Sequence, residues 1–228
     1  MAVQEFGNPD VKAGRQLTKL LRYLQGTKHL ANYFPREGAV DKIEGFCDGD
    51  WAGDEIDRKS VSGAAVVVGQ CCLHSHSRGA PTQSLSSGEQ EIVSMSEILK
   101  DLLLIQFNLE FVGFGKLTIV IFTDASVARQ FVHRKGVGRM KHLEVRYLWL
   151  QDQLAKGAYT CRKIPCSENP SDMLTHPPNA SEVVKFREKL GMYPMECSLG
   201  AETLIKNILK NKPDKVAQVA SILVQSMK

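Results

Sequence analysis

The 228 residues are enough for one or two domains with a real core, and 43% hydrophobic with 24% charged residues is the composition of an ordinary globular protein. A formal net charge of +4 permits nucleic-acid binding without demanding it. Six scattered cysteines without a C-x-x-C pair exclude a disulfide framework and a zinc knuckle, and no apolar run is long enough to span a bilayer. A reducing intracellular setting and no membrane partner are therefore expected. The chain carries no recognisable signal peptide and opens abruptly, as a fragment of something longer would.

Val11 to Gln25 carries Leu17, Leu20, Leu21 and Leu24 at helical spacing, with Gly26 as its expected stop. From Asp41 the pattern changes to strands. Lys42 to Asp48 is the first, Val61 to Gly69 the second and Cys71 to Ser77 the third, the last two joined as a hairpin through Gly69-Gln70. In the stretch FCDGDWAGD, Phe46 to Asp54, alternation puts Phe46, Asp48 and Asp50 on one face. Two carboxylates that close repel, and such a pair is usually offset by a basic side chain or a metal. A polar strand end running into a turn is the competing reading. Cys72, His74 and His76 fall in one row of the third strand. Zinc sites usually gather ligands from separate elements, so no metal role is assigned there.

Ser84 to Phe111 reads as a long helix with Ser86 or Ser87 as N-cap. Glu91, Met95, Ile98, Leu102, Ile105 and Leu109 trace one stripe, apolar except for Glu91. A carboxylate at the head of a buried stripe needs a partner, which is a second sign of a cation. Glu89 lies about 200° round the helix and should face elsewhere. Leu117 to Asp124, LTIVIFTD, reads as a strand buried on both faces that ends in a carboxylate, at the end where α/β sheets hold ligands. Asp124 can equally cap a short helix over Ala125 to Val132.

Residues 129 to 146 hold six positive side chains against Glu144 alone. Arg129, Arg134, Lys135, Arg139 and Lys141 cluster around a glycine loop ahead of a helix expected over Met140 to Lys156. A phosphate-backbone contact and a solvated helix face are both open for them. Ala158 to Ile164 is a further strand. Asn169 reads as an N-cap and Pro170 as a first helical residue, which sets Asp172 at the third position, where an acid is favoured for capping alone. His176-Pro177-Pro178 closes the unit. Beyond it Val183 to Leu190, Ala201 to Leu209 and Asp214 to Met227 are helical in pattern and carry no motif.

Five stretches in this order, GFCDGDWAGDEIDRKSVSG, LSSGEQEIVSMSE, FTDASVARQF, MKHLEVRYLWLQDQL and ENPSDMLTHP, resemble the ribonuclease H domain at the end of a copia-type retrotransposon polyprotein. Upstream, RQLTKLLRYLQGTKHL is similar to the segment that joins reverse transcriptase to that domain. The resemblance covers residues 11 to 192. It implies an α/β, ribonuclease H-like fold, a mixed five-stranded sheet of three antiparallel and then parallel strands flanked by helices. It also implies a helical connection at 1–40, the ribonuclease H-like domain at 41–178 and a helical tail at 179–228.

The family's metal-binding carboxylates fall on Asp48, Glu91, Asp124 and Asp172. As the resemblance implies, these would hold two Mg2+ ions, with Mn2+ as a substitute, and hydrolyse the RNA strand of an RNA–DNA hybrid during reverse transcription. Asp50 and Glu89 belong to the motifs without being expected ligands. Arg129, Arg134, Lys135, Arg139 and Lys141 become the candidates for contact with the hybrid backbone. The reverse transcriptase domain of the same polyprotein is the implied partner. A virus-like particle in the cytoplasm, with access to the nucleus, is the implied setting.

The chain departs from the family pattern in several places. Gly49 replaces the usual alanine and should loosen the strand end. Ala125 and Val127 stand where polar side chains are usual, and His176 replaces a lysine. The loop Pro165 to Glu168 has no histidine, which leaves proton shuttling there to Glu168 at best. A catalytically silent or host-adopted remnant that binds nucleic acid or protein is the alternative reading. An integrase-like or resolvase-like nuclease is a further rival, disfavoured by the order Asp, Glu, Asp, Asp and by a glutamate on this helix.

Overall fold

The computed structural model describes residues 11–34, 40–53, 58–80, 83–138 and 140–194. The chain divides into two compact units, Met1–Ala31 with Pro194–Lys228, and Asn32–Tyr193. In the first, the described element is helix α1 (Val11–Thr27), which runs through Gly26 instead of stopping at it. Leu17, Leu20, Leu21 and Leu24 on this helix are exposed. Strands β1 (Leu30–Asn32) and β7 (Met192–Pro194) pair as a separate two-stranded sheet.

The centre of the second unit is a five-stranded sheet of β2 (Lys42–Asp50), β3 (Val61–Val68), β4 (Cys71–Gly79), β5 (Thr118–Thr123) and β6 (Thr160–Lys163). Its order is β4-β3-β2-β5-β6. The hairpin predicted at Gly69-Gln70 joins β3 to β4, both antiparallel to their neighbours, while β5 runs parallel to β2 and β6 parallel to β5. This is the mixed sheet that the resemblance implies.

Alternation along the strands sorts side chains to two faces. Ala64, Val66 and Val68 join the main core with Ile43 and Cys47, while Ala65 and Val67 join a smaller one with Phe46 and Leu190. The main face is covered by the long helix α2 (Ser87–Phe111), on which the predicted stripe residues Met95, Ile98 and Leu102 are fully buried. Ser86 is its N-cap, accepting from the Glu89 N–H. Gly45 is where strand and helix touch: an added Cβ would lie 2.6 Å from a Leu102 methyl. The smaller face carries α5 (Asp172–Thr175) and α6 (Ala180–Lys189), the latter started by a capping box of Asn179 and Glu182.

The remaining helices are α3 (Ser126–His133) and α4 (Leu148–Ala155). The helix expected from Met140 begins only at Leu148, preceded by a 3-10 turn over Val145–Tyr147. Leu143 and Tyr147 are buried at a helical interval, yet turns carry them there.

Leu102 and Leu104 stand nearly opposite each other on α2, the first fully buried and the second 60% exposed. Leu102→Ala should therefore lower unfolding stability by about 2–5 kcal/mol, and Leu104→Ala by less than about 0.5 kcal/mol, in urea denaturation followed by circular dichroism.

Candidate active site

The parallel register of β2 with β5 pairs Phe46 with Phe122, whose rings stack 5.2 Å apart. Pairing between these two strands stops there. Two residues further on, Asp48, still paired with Gly63 of β3, and Asp124, just past the end of β5, come to the same level of the sheet. The first turns of α2 bring Glu91 over the same end. One carboxylate oxygen from each of Asp48, Glu91 and Asp124 lies within 4.8 Å of the others. A second group, Asp48, Asp172 and His176, meets the same criterion, so Asp48 is common to both. All four predicted carboxylates are thus brought to one end of the sheet.

Asp48 and Glu91 are each held by a specific contact. Asp48 is buried, and the Thr175 hydroxyl of α5 donates a short hydrogen bond to its Oδ2. The Gly49 backbone N–H donates to the Glu91 carboxylate. Gly49 has the opposite effect to the one expected from sequence. An added Cβ there would meet Ser94 Oγ at 2.9 Å and the Gln90 backbone at 3.1 Å, so glycine admits the helix to the strand rather than loosening it. Asp124 does not cap α3, whose N-cap is Ala125 without any side-chain bond. Asp172 opens α5 with Ser171 as N-cap, not as the third residue of a helix capped by Asn169.

Asn169 has a longer reach than a cap. Its Nδ2 donates to the Cys47 carbonyl at 3.0 Å, and its Oδ1 accepts from Ser171 Oγ at 2.6 Å. Fully buried, it pins the segment carrying Asp172 to the strand carrying Asp48. Behind Gly49, Ser84 Oγ donates to Gln90 Oε1, while Gln90 Nε2 and Ser94 Oγ both donate to Ser62 Oγ, at 2.8 to 3.0 Å. This buried network couples β3 to the first turns of α2. Sequence reasoning missed Thr175, Asn169 and the network, because their partners lie far away in sequence.

Electrostatics follow from burial. Desolvation, then the charges of Asp48 and Asp124, push the Glu91 carboxyl up to about 9, against the Gly49 N–H that favours its charged form. Burial also raises Asp48 and Asp172, and for both of them His176 works in the other direction. Glu91 Oε2 and Asp124 Oδ1 are buried with no hydrogen-bond partner. Buried, mutually repelling oxygens with free lone pairs fit a hard divalent cation such as Mg2+ or Mn2+.

The remaining predicted residues are more dispersed. Glu89 is buried, accepts from the Leu85 N–H at 2.7 Å and lies 3.4 Å from His142 Nε2, so it braces the start of α2. Lys135 and Lys141 are exposed and Arg129 is half-buried. Arg134 turns back into its own loop, donating to the Val137 carbonyl at 2.6 Å. Arg139 lies outside the described residues.

A mixed sheet in this order, with acidic residues gathered at the ends of its two central strands, defines a ribonuclease H-like domain. No protein-family model matches the chain. Over 190 residues it is 30% identical to the retrovirus-related Pol polyprotein from transposon TNT 1-94 of Nicotiana tabacum, covering 82% of this chain and 14% of that protein. Over 180 residues it is 28% identical to the Pol polyprotein from transposon RE1 of Arabidopsis thaliana, covering 77% of this chain and 12% of that protein. A crystal structure of LC11 ribonuclease H1 with an RNA/DNA hybrid is 14% identical, covers 62% of this chain and 99% of its own, and superposes with a TM-score of 0.43, too low to carry an argument about residues. The chain is homologous to copia-type, retrovirus-related Pol polyproteins of transposons, and spans 12 to 14% of the length of these two relatives.

In the cation-free protein Glu91 keeps its proton to about pH 9 when folded, but releases it near 4.5 when unfolded. Its contribution is therefore fully present below 4.5 and is lost as pH rises towards 9. Thermal melts in EDTA should show stability falling across this window, and Glu91→Gln should flatten the fall. A slope unchanged in Glu91→Gln would contradict the assignment.

Proposed function

We propose that the chain is the ribonuclease H domain of its polyprotein, a metal-dependent endonuclease that hydrolyses the RNA strand of RNA–DNA hybrids during reverse transcription. The observation that carries this reading is the meeting of Asp48, Glu91 and Asp124 oxygens within 4.8 Å, with Asp172 joined to Asp48 in a second group. An all-oxygen donor set suits Mg2+, or Mn2+ in its place. Asp48, Glu91 and Asp124 would hold one ion, and Asp48 with Asp172 a second. Bound there, the ions supply a water activated near neutral pH and charge stabilisation for the departing 3′ oxygen.

The chain's own residues supply orientation and proton handling. Thr175 fixes the Asp48 carboxylate, and the Gly49 N–H holds Glu91 while leaving its Oε2 free. The loop before α5 has no histidine, but His176 reaches the Asp48–Asp172 pair from the far end of that helix and is exposed. It is the titratable group between the site and solvent, and passes the proton to the leaving oxygen. Products carry 5′-phosphate and 3′-hydroxyl ends.

Substrate binding rests on charge and shape. Lys135 and Lys141 are exposed for phosphate contact. Lys135, Arg146 and Trp149 line a groove of about 730 Å³ between α3 and α4, which joins positive charge to an aromatic surface. Selection of the hybrid comes from backbone geometry and 2′-hydroxyl contacts, with no reading of bases. The reverse transcriptase domain of the same polyprotein is the natural partner for presenting it.

The test is cleavage of a labelled RNA–DNA hybrid with Mg2+ and with Mn2+, beside single-stranded RNA, duplex RNA and duplex DNA. Hybrid-only cleavage should vanish in Asp124→Asn. His176→Ala should lose about 10²-fold in kcat and flatten the pH profile. Lys135→Ala should raise KM with little change in kcat, by an amount that shrinks as salt rises. A folded chain that binds the hybrid and cleaves nothing with either ion would establish a binding module in place of an enzyme.

A further inference from the structure

A second set of ligand-type side chains lies on the same helix as Glu91, ten residues and about 15 Å further along its axis. β4 presents His74 and His76 on one face, two residues apart. Read from sequence, this row lacks a ligand from any other element. α2 supplies one in Asp101. His74 Nε2 is 3.4 Å and His76 Nδ1 3.2 Å from Asp101 Oδ2, and the two nitrogens are 3.4 Å apart.

Those lengths are informative. Tetrahedral zinc with bonds of about 2.0–2.1 Å separates its ligand atoms by about 3.3–3.4 Å. The three atoms therefore match one face of such a tetrahedron. Hydrogen bonding explains the cluster less well, because Asp101 Oδ2 is buried and accepts no hydrogen bond, although two ring nitrogens stand within reach. The His76 side chain is only 5% exposed, and its other nitrogen, Nε2, is buried without a partner. His74 and Asp101 remain 34% and 22% exposed, which leaves an entry path.

We propose that His74 Nε2, His76 Nδ1 and Asp101 Oδ2 bind one Zn2+ ion, with solvent in the fourth position. The site is separate from the carboxylate cluster and independent of the proposed nuclease activity. Its imidazole nitrogens select a transition metal, where the all-oxygen cluster suits Mg2+. Among the described residues β4 is an edge strand, bonded within the sheet to β3 alone. An ion shared with α2 ties that edge to the helix covering the core, and stabilises the folded chain by mass action.

The full chain, stripped with EDTA, is titrated with Zn2+ by calorimetry, and with Co2+ as an optical probe of tetrahedral geometry. The expected result is one Zn2+ per chain, a raised melting temperature and a tetrahedral Co2+ spectrum. His74→Ala and Asp101→Asn should each weaken Zn2+ binding by about 100-fold or more, with circular dichroism confirming a folded chain, while Asp124→Asn leaves the affinity unchanged. His74 is partly exposed, so its truncation spares the core. Three outcomes would overturn the proposal: no Zn2+ uptake by the folded chain, uptake unaltered in both His74→Ala and Asp101→Asn, or uptake lost in Asp124→Asn.

Discussion

Three carboxylate oxygens, from Asp48, Glu91 and Asp124, are held within 4.8 Å of one another, on one buried and two half-buried residues. Partial burial weakens the screening of such repulsion by water, and the hydrogen bonds to Asp48 and Glu91 relieve it only in part. Glu91 Oε2 and Asp124 Oδ1 are left without partners. In the cation-free chain the strain emerges as protonation, with Glu91 pushed to about 9. A divalent cation bound as proposed would remove both penalties, since it would screen the charges and take up the free lone pairs. Folding and cation binding would in this way be tied to the same residues.

Much of the surrounding structure keeps these groups from moving apart. Gly49 removes a side chain where α2 meets β2, so that the start of the helix, and Glu91 with it, reaches the strand end. The network of Ser84, Gln90, Ser62 and Ser94 fixes the same turns of α2 to β3. On the opposite face, Asn169 ties the Asp172 segment to Cys47, the residue before Asp48. Thr175 then closes onto Asp48 itself. The polar atoms lie beside the site while the apolar core lies along the rest of α2, so rigidity is concentrated where charges oppose each other.

Two of the four carboxylates are legible in sequence because each depends on a regularity within one element: helix phase marks Glu91, and an apolar run ending in an acid marks Asp124. Strand alternation marks Asp48 and Asp50 alike. The resemblance chooses Asp48 between them and adds Asp172, which the local pattern favours as a cap. What stayed hidden depended on partners distant in sequence. Asn169 looked like a cap because its local surroundings suit one, yet its amide bonds a carbonyl 122 positions away. The spacing of Leu143 and Tyr147 imitated a helical stripe over a stretch of turns. The pairing of His74 and His76 with Asp101 required the register of β4 against α2, which no local pattern encodes. Arg134 illustrates the reverse limit, since a positive charge in a basic stretch can be consumed by its own loop.

The most direct measurement is anomalous diffraction at the manganese edge, from crystals of the chain grown with Mn2+. A peak bounded by Asp48, Glu91 and Asp124, absent from Asp124→Asn crystals, is the expected result. Ordered, well-resolved carboxylates with no peak among them, or a peak that persists unchanged in Asp124→Asn, would contradict it.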